Sequence, residues 1–411
     1  MAATNNTHDP TELKSHVPPR VPPPPPPPPS SPQLSRKSTE HSHQKRSQLI
    51  KPIVKKAADA KASDVHIRVG EVPRFRIRGQ MREAEGLDKV TDELFEMYLQ
   101  EIASPSQRKQ FAQTKELDTA IFYPGFVRCR VNCFQTLNGG AIVLRLIDLK
   151  VPTIDRLGLP EVLKKIISAP QGLVLVTGPT GSGKSTTMAA MIQHLNQTAY
   201  KHIITIEDPI EYVYASKRCL ISQREVGLHT DDFHASLRSA LREDPDAILI
   251  GEMRDRLTVN IALQAAQTGH LVLGTLHTRN AIDALNRLLN LYNPEEQPSM
   301  RVQIGESLAA VVAQLLIPTT DGGRTAINEI LINTPAMKDY LLKGDDDSAY
   351  HLMHTDTYEG MQVMNYDLYQ KVMDGRVAIE TAQIHAPDPG ELDRLIRSGG
   401  FDASRSPRDF A

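Results

Sequence analysis

The sequence has no tryptophan, only 5% aromatic residues and three cysteines in 411 positions. So few aromatics leave no evident platform for stacking bases and no saccharide cleft. Cys129, Cys133 and Cys219 cannot build a paired disulfide framework. The spacing of the first two lacks the second Cys or His pair that a zinc site needs, so they read as ordinary thiols of a reducing compartment. An excess of one charge sign is missing too. Lys plus Arg number 47 against 49 Asp plus Glu, a net charge of −2, which removes the electrostatic footprint of a dedicated nucleic-acid binder. The apolar runs 173–176 and 271–273 are strand-sized, far too short to cross a bilayer. The polar start, 1–10, has no apolar signal-peptide core. These absences point to a cytosolic protein.

Proline is abundant, and much of it sits at one end. Pro18-Pro19, an unbroken run over 22–29 and Ser30-Ser31-Pro32 lack the N–H donors that helix or sheet requires. Residues 1–46 therefore read as a disordered Pro-rich tail with a polyproline II rod, either a spacer or a ligand for an aromatic-lined groove. Arg36, Lys37, Lys45, Arg46, Lys51, Lys55 and Lys56 follow it; they solvate the tail and first helix, or touch acidic lipid.

From residue 47 the texture is globular, and the length suits two or three domains. A helix is expected over 49–62, with Ile50, Ile53, Val54 and Ala57 at helical spacing. Strands follow at 65–67 and 73–77, a helix at 92–102, and a hairpin of 126–134 and 141–147 around Asn138-Gly139-Gly140. This makes a small α/β domain over 47–150. Pro152 and Gly158-Leu159-Pro160 mark a linker, 151–160. Fully apolar strands at 173–176, 202–206, 247–250 and 271–276 then alternate with helices, the pattern of a parallel sheet covered on both faces. That core spans 161–335. Helical texture fills 336–397, and 398–411 is a polar tail.

Gly178-Pro-Thr-Gly-Ser-Gly-Lys184-Ser185 fits the phosphate-binding loop in full, with an apolar strand entering it and a helix leaving it. Glycines at 178, 181 and 183 let backbone N–H groups curl around phosphate oxygens, and the helix amino terminus adds its partial positive charge. Gly178, Thr180, Gly181, Ser182, Gly183, Lys184, Ser185 and Thr186 are the expected contacts to ATP. Lys184 bridges the β- and γ-phosphates and Ser185 ligates Mg²⁺. Hydrolysis needs acids as well. Glu207-Asp208 closes the strand 202–206, Glu211 comes shortly after, and Glu252 stands two residues past the strand 247–250. An acid at the carboxyl end of a strand beside the loop points into the nucleotide crevice. Glu207 and Glu252 are expected to hold Mg²⁺ through water and to orient or deprotonate the attacking water. Asp208 can equally cap a turn. His270 and His277 flank the strand 271–276; each is a γ-phosphate sensor or an ordinary turn histidine.

Four ordered segments resemble the PilT-type ATPases that retract type IV pili, within the wider secretion-ATPase superfamily. They are 178–187 as the phosphate loop, Thr205-Ile-Glu-Asp-Pro-Ile-Glu-Tyr212 as the aspartate box, 241–255 as the Walker B region and Thr268-Gly-His-Leu-Val-Leu-Gly-Thr-Leu-His-Thr278 as the histidine box. Gln223-Arg-Glu-Val-Gly227 adds support. The resemblance covers 47–397. It implies a PAS-like N-terminal α/β domain, a RecA-like P-loop ATPase domain with a helical C-terminal extension, and a homohexameric ring. It also implies that Arg130 and Arg145 of the N-terminal domain reach the phosphates; ordinary strand-face ion pairs are the alternative.

The implied partner is an inner-membrane pilus platform protein, and a second retraction ATPase is a further one. The implied place is the cytoplasm, peripheral to the inner face of the cytoplasmic membrane. No nucleic acid is expected, and a ligand of the proline run is not identified. The chain has no four-cysteine zinc insertion and no extra globular amino-terminal domain, which favours the retraction branch. In place of a motif resembling Ala-Ile-Arg-Asn-Leu-Ile-Arg-Glu it carries Ala336-Met-Lys-Asp-Tyr-Leu-Leu-Lys343, in which only the opening Ala survives, followed by the acidic Gly344-Asp-Asp-Asp347. An accessory retraction subunit, an assembly ATPase and a nucleotide-gated regulatory module are the competing readings.

Overall fold

Alternating burial organises the first sheet. In β1 (Asp64–Arg68) Val65 and Ile67 are fully buried, and His66 between them faces the other way. The computed structural model describes residues 49–399 apart from Pro124 and Asp148. The proline-rich tail and the residues beyond 399 expected above lie outside the described residues. With β2 (Arg74–Ile77), β3 (Gln80–Glu83), β4 (Glu116–Tyr123), β5 (Val127–Thr136) and β6 (Gly139–Ile147), β1 forms an antiparallel sheet ordered β3-β2-β1-β6-β5-β4. Its apolar face, including Cys129, Val131, Cys133, Ile142 and Leu144, packs on Ile50, Ile53 and Val54 of the helix Ile50–Asp59 and Phe95 and Leu99 of the helix Asp92–Ile102. All three cysteines are free and buried. Burial pushes the Cys129 and Cys133 thiols up to about 12. The opposite face carries Asp64, Arg128, Arg130 and Arg145, so one face of the sheet is apolar and the other polar.

The second sheet is buried on both faces. β7 (Gly172–Thr177), β8 (His202–Glu207), β9 (Leu220–Glu225), β10 (Ala247–Ile250), β11 (Leu271–Leu276), β12 (Leu308–Pro318) and β13 (Arg324–Ile332) run in the order β13-β12-β7-β11-β10-β8-β9. All neighbours are parallel except the β12–β13 hairpin. Leu173 and Leu175 face a core with Val259, Ala262 and Leu288. Val174 and Val176 face the other core with Met188, Met191, Ile192 and Leu195 of the helix Lys184–Thr198. Apolar strands dry on both sides are what a parallel sheet under helices requires.

The α/β architecture matches the sequence expectation, and so does the helical C-terminal region from Pro335. The sequence reading did not contain β3, β4, β9, β12 or β13; the last two add a long hairpin that walls the phosphate-loop strand. The altered motif at 336–343 lies in the helix Pro335–Lys343, capped by Thr334 and Gly344, with Met337 and Leu341 buried. Acidic Asp345 and Asp346 have a local reason. Asp345 caps the next helix, Asp346–Thr355, by accepting the Ser348 N–H at 3.1 Å.

Candidate nucleotide site

The phosphate loop forms because β7 must turn sharply into the helix Lys184–Thr198. A Cβ at Gly178, whose φ is +147°, would lie 2.2 Å from the Gln314 carbonyl oxygen, so only glycine fits there. Gly183, at φ +87°, is the N-cap position, and the first N–H groups of the helix have no intrahelical partner. Lys184 is buried, and its ammonium donates to the carbonyls of Gly178 at 2.7 Å and Pro179 at 3.1 Å. Burial pulls this ammonium below its usual range, while Glu252 and Glu211 oppose the shift.

A cavity of about 640 Å³ opens over the loop, a size that suits a small-molecule ligand. Thr180, Gly181, Gly183, Lys184, Ser185 and Thr186 line it, together with Glu207, Glu252 and His277. The expected loop contacts Gly178 and Ser182 are not among its walls. Ser182 lies behind, its carbonyl accepting the Gln314 side-chain amide at 2.6 Å, its hydroxyl buried without a protein partner.

The two acids sit differently. One oxygen of Glu252 is 2.6 Å from Arg254 Nη2 and the other 3.2 Å from His277 Nε2. The Arg254 hydrogen bond, aided by His277 and against some desolvation, holds this carboxyl below the usual range. Thr275 of β11 fixes the turn before it by donating to the Gly251 carbonyl at 2.6 Å. Glu207 is pushed up by burial, against hydrogen bonds from Thr205 at 2.7 Å, the Glu211 N–H at 3.3 Å and Gln223 at 3.3 Å. Asp208, Glu211 and Tyr212 also line the cavity, and Tyr212 pairs its hydroxyl with Thr186 at 2.9 Å.

Three expected residues stand elsewhere. The two histidines bracket β11, whose first residue, Leu271, pairs with Gly172 and whose last, Leu276, pairs with Thr177. Only the second of these ends meets the phosphate loop. At about 3.3 Å per residue, β11 holds His270 some ~20 Å from the end where His277 sits. His270 Nδ1 instead lies 3.0 Å from the Ala265 carbonyl and 3.2 Å from Thr268 Oγ1, at the turn into the strand. His270 thus takes the turn position that was one of its two readings and does not line the cavity. Arg130 and Arg145 face each other across β5 and β6 and do not line the cavity. Arg145 pairs with Asp64 at 2.9 Å, the strand-face ion pair that was the alternative reading.

Sequence reasoning missed Gln314, whose side chain bridges Ser182 of the loop and Thr187 of the following helix, the latter at 2.6 Å. Its signal was a lone amide in the apolar run 308–317. It also missed His234 and Asp255, paired at 3.1 Å in the cavity wall, where Asp255 caps the helix Arg256–Gln267.

A family model described as type II/IV secretion system protein matches residues 39–321. The type IV pilus retraction ATPase PilT of Pseudomonas aeruginosa is 44% identical over 328 residues, 80% of this chain and 95% of that protein. A twitching motility protein of Neisseria gonorrhoeae is 44% identical over 315 residues, 76% of this chain and 84% of that one. The crystal structure of the pilus retraction motor PilT with bound ADP aligns at a TM-score of 0.78 and 39% identity, covering 83% of this chain and 98% of that one.

Proposed function

The chain belongs to the type II/IV secretion system protein family, in its PilT-type branch, and from that premise we propose that it is the ATPase that powers retraction of type IV pili. One observation carries the reading. Lys184 and Ser185 of the phosphate loop, Glu207 at the end of β8, Glu252 after β10 and His277 after β11 converge on one cavity from four strand ends.

The residues present fit a nucleoside triphosphate. A cradle that admits only glycine at 178, unpaired helix N–H groups and a lysine already folded over it all favour polyanionic oxygen. Lys184 takes the β- and γ-phosphates, with Thr180, Gly181, Gly183 and Thr186 around them and Gly178 and Ser182 shaping the loop from behind. Ser185, with Glu207 and Glu252, would hold Mg²⁺, which supplies neutralisation of phosphate charge when bound. Glu252 orients and deprotonates the attacking water. His277 and Arg254 keep its carboxylate ionised and aimed. Arg130 and Arg145 meet the phosphates only after the N-terminal sheet moves, which ties hydrolysis to rotation. The working limits are 47–150 for the PAS-like N-terminal domain, 161–335 for the RecA-like ATPase core and 336–397 for the helical extension.

We assign the chain to a homohexamer that acts on an inner-membrane platform protein from the cytoplasmic side. Among the described residues no helix is long and apolar enough to cross a membrane. Counting surface pili in a deletion strain tests the direction of work. Retraction predicts surplus pili and lost twitching, both restored by the wild-type gene; loss of pili would assign the chain to assembly instead.

A further inference from the structure

The segment Gln223-Arg-Glu of β9 takes no part in the chemistry above, yet its side chains grip the acidic loop that walls the nucleotide cavity. Gln223 donates to the Tyr212 carbonyl at 2.8 Å and to Glu207 at 3.3 Å, and its oxygen accepts the Tyr214 N–H at 2.9 Å. Glu225, two residues on and so on the same side of the strand, accepts the Ile210 N–H at 3.0 Å. Between these two anchors lie Asp208, Glu211 and Tyr212, all in the cavity wall.

The oxygen of Glu225 that receives Ile210 is also paired with the Arg128 guanidinium of β5, in the N-terminal sheet. Both side chains are buried: Arg128 is 9% exposed and Glu225 4%. Separating two buried, paired charges leaves each without its partner at a high cost, so the two side chains move together. Arg128 lies two residues from Arg130 and shares its sheet face.

We propose that Glu225 is a positioning residue, and that the Arg128–Glu225 pair transmits movement of the N-terminal sheet to the loop 208–212 of the same subunit. The inference rests on the ATPase reading of the site. When the N-terminal sheet turns, Arg128 draws on the carboxylate that anchors Ile210, and the acids on either side of Ile210 shift against bound nucleotide. Nucleotide arriving at that loop acts on the sheet along the same path, because coupling is reciprocal.

The test uses the full chain with Arg128→Gln, Glu225→Gln and the double variant, in which two neutral amides replace the ion pair and no buried charge is orphaned. The glutamine at 225 keeps an acceptor for Ile210. Each single variant is expected to lower kcat for ATP at least tenfold with KM within threefold, and the double variant to lose no more than the worse single one. Amide exchange is the second readout. In the wild type, ADP changes exchange both in 178–186 and in 127–134; in the variants the first response stays and the second disappears.

Wild-type kcat, multiplied losses in the double variant, or an intact ADP response at 127–134 would each overturn the proposal. Arg128→Lys, which keeps the charge and loses the fork, serves where the glutamine variants fail to fold. A severalfold drop in kcat is expected of it, and an unchanged kcat counts against the pair. Failure of ADP to protect 178–186 in the wild type would sink the nucleotide reading instead.

Discussion

Replacing Gln314 by leucine removes the clamp behind the phosphate loop while nearly conserving volume. Gln314 is 1% exposed, and its amide makes two 2.6 Å hydrogen bonds, one from Thr187 Oγ1 and one to the Ser182 carbonyl. Leucine leaves both partners buried and unpaired, each costing about 1–3 kcal/mol, so the variant should lose about 2–6 kcal/mol of stability. The Ser182 share falls on the loop itself. At about 1.4 kcal/mol it corresponds to a roughly tenfold weaker nucleotide affinity. Denaturant unfolding with and without ADP, alongside ADP titration, reads both quantities. Adding Thr187→Val removes the orphaned hydroxyl, so the double variant should cost at least ~1 kcal/mol less than the two singles together. Stability within ~0.5 kcal/mol of wild type, with unchanged ADP affinity, would refute the clamp.

Arg254→Ala should free one oxygen of Glu252 and let its pKa rise. The acid limb of kcat/KM then moves upward, because the Arg254 hydrogen bond is the largest cause holding the carboxyl down; an unmoved limb would separate Arg254 from Glu252. Glu329, buried in β13 where it accepts the Ala281 N–H at 2.8 Å, is raised by desolvation from 4.5 to about 7. The folded state thus binds this proton more tightly than the unfolded one. Its stabilising effect is complete below pH 4.5 and is lost as pH rises through about 7. At ~1.4 kcal/mol per pH unit the loss is on the order of 3 kcal/mol, so Glu329→Gln should flatten the pH dependence of unfolding by that amount. A parallel profile would contradict the assignment.

The legible parts of the site were those in which chemistry is local in sequence. The phosphate loop, its entering strand and its leaving helix occupy one continuous stretch, and glycine spacing alone predicted the cradle. The acids Glu207 and Glu252 were found because each ends an apolar strand, and parallel strands share one carboxyl edge. The same reasoning could not separate the two readings of His270. A histidine before a strand and one after it look alike in sequence, yet the strand's length sends them to opposite edges of the sheet. Gln314 meets Ser182 across 132 residues and Thr187 across 127, so pairing information was not local. The β12–β13 hairpin escaped notice although Asp321-Gly322-Gly323 stands between two apolar runs, a turn signal that went unused. Glu225 stands in the quoted 223–227 motif and Arg128 in the expected strand 126–134, but only packing of the two sheets makes them partners.

The account turns on Glu252 as the group that separates binding ATP from hydrolysing it. Glu252→Gln keeps shape and loses the basic carboxylate. ADP and ATP affinity measured on this variant should stay within about threefold of wild type, while ATP turnover falls by about 10²-fold or more. Turnover at the wild-type rate, with nucleotide bound as before, would contradict it.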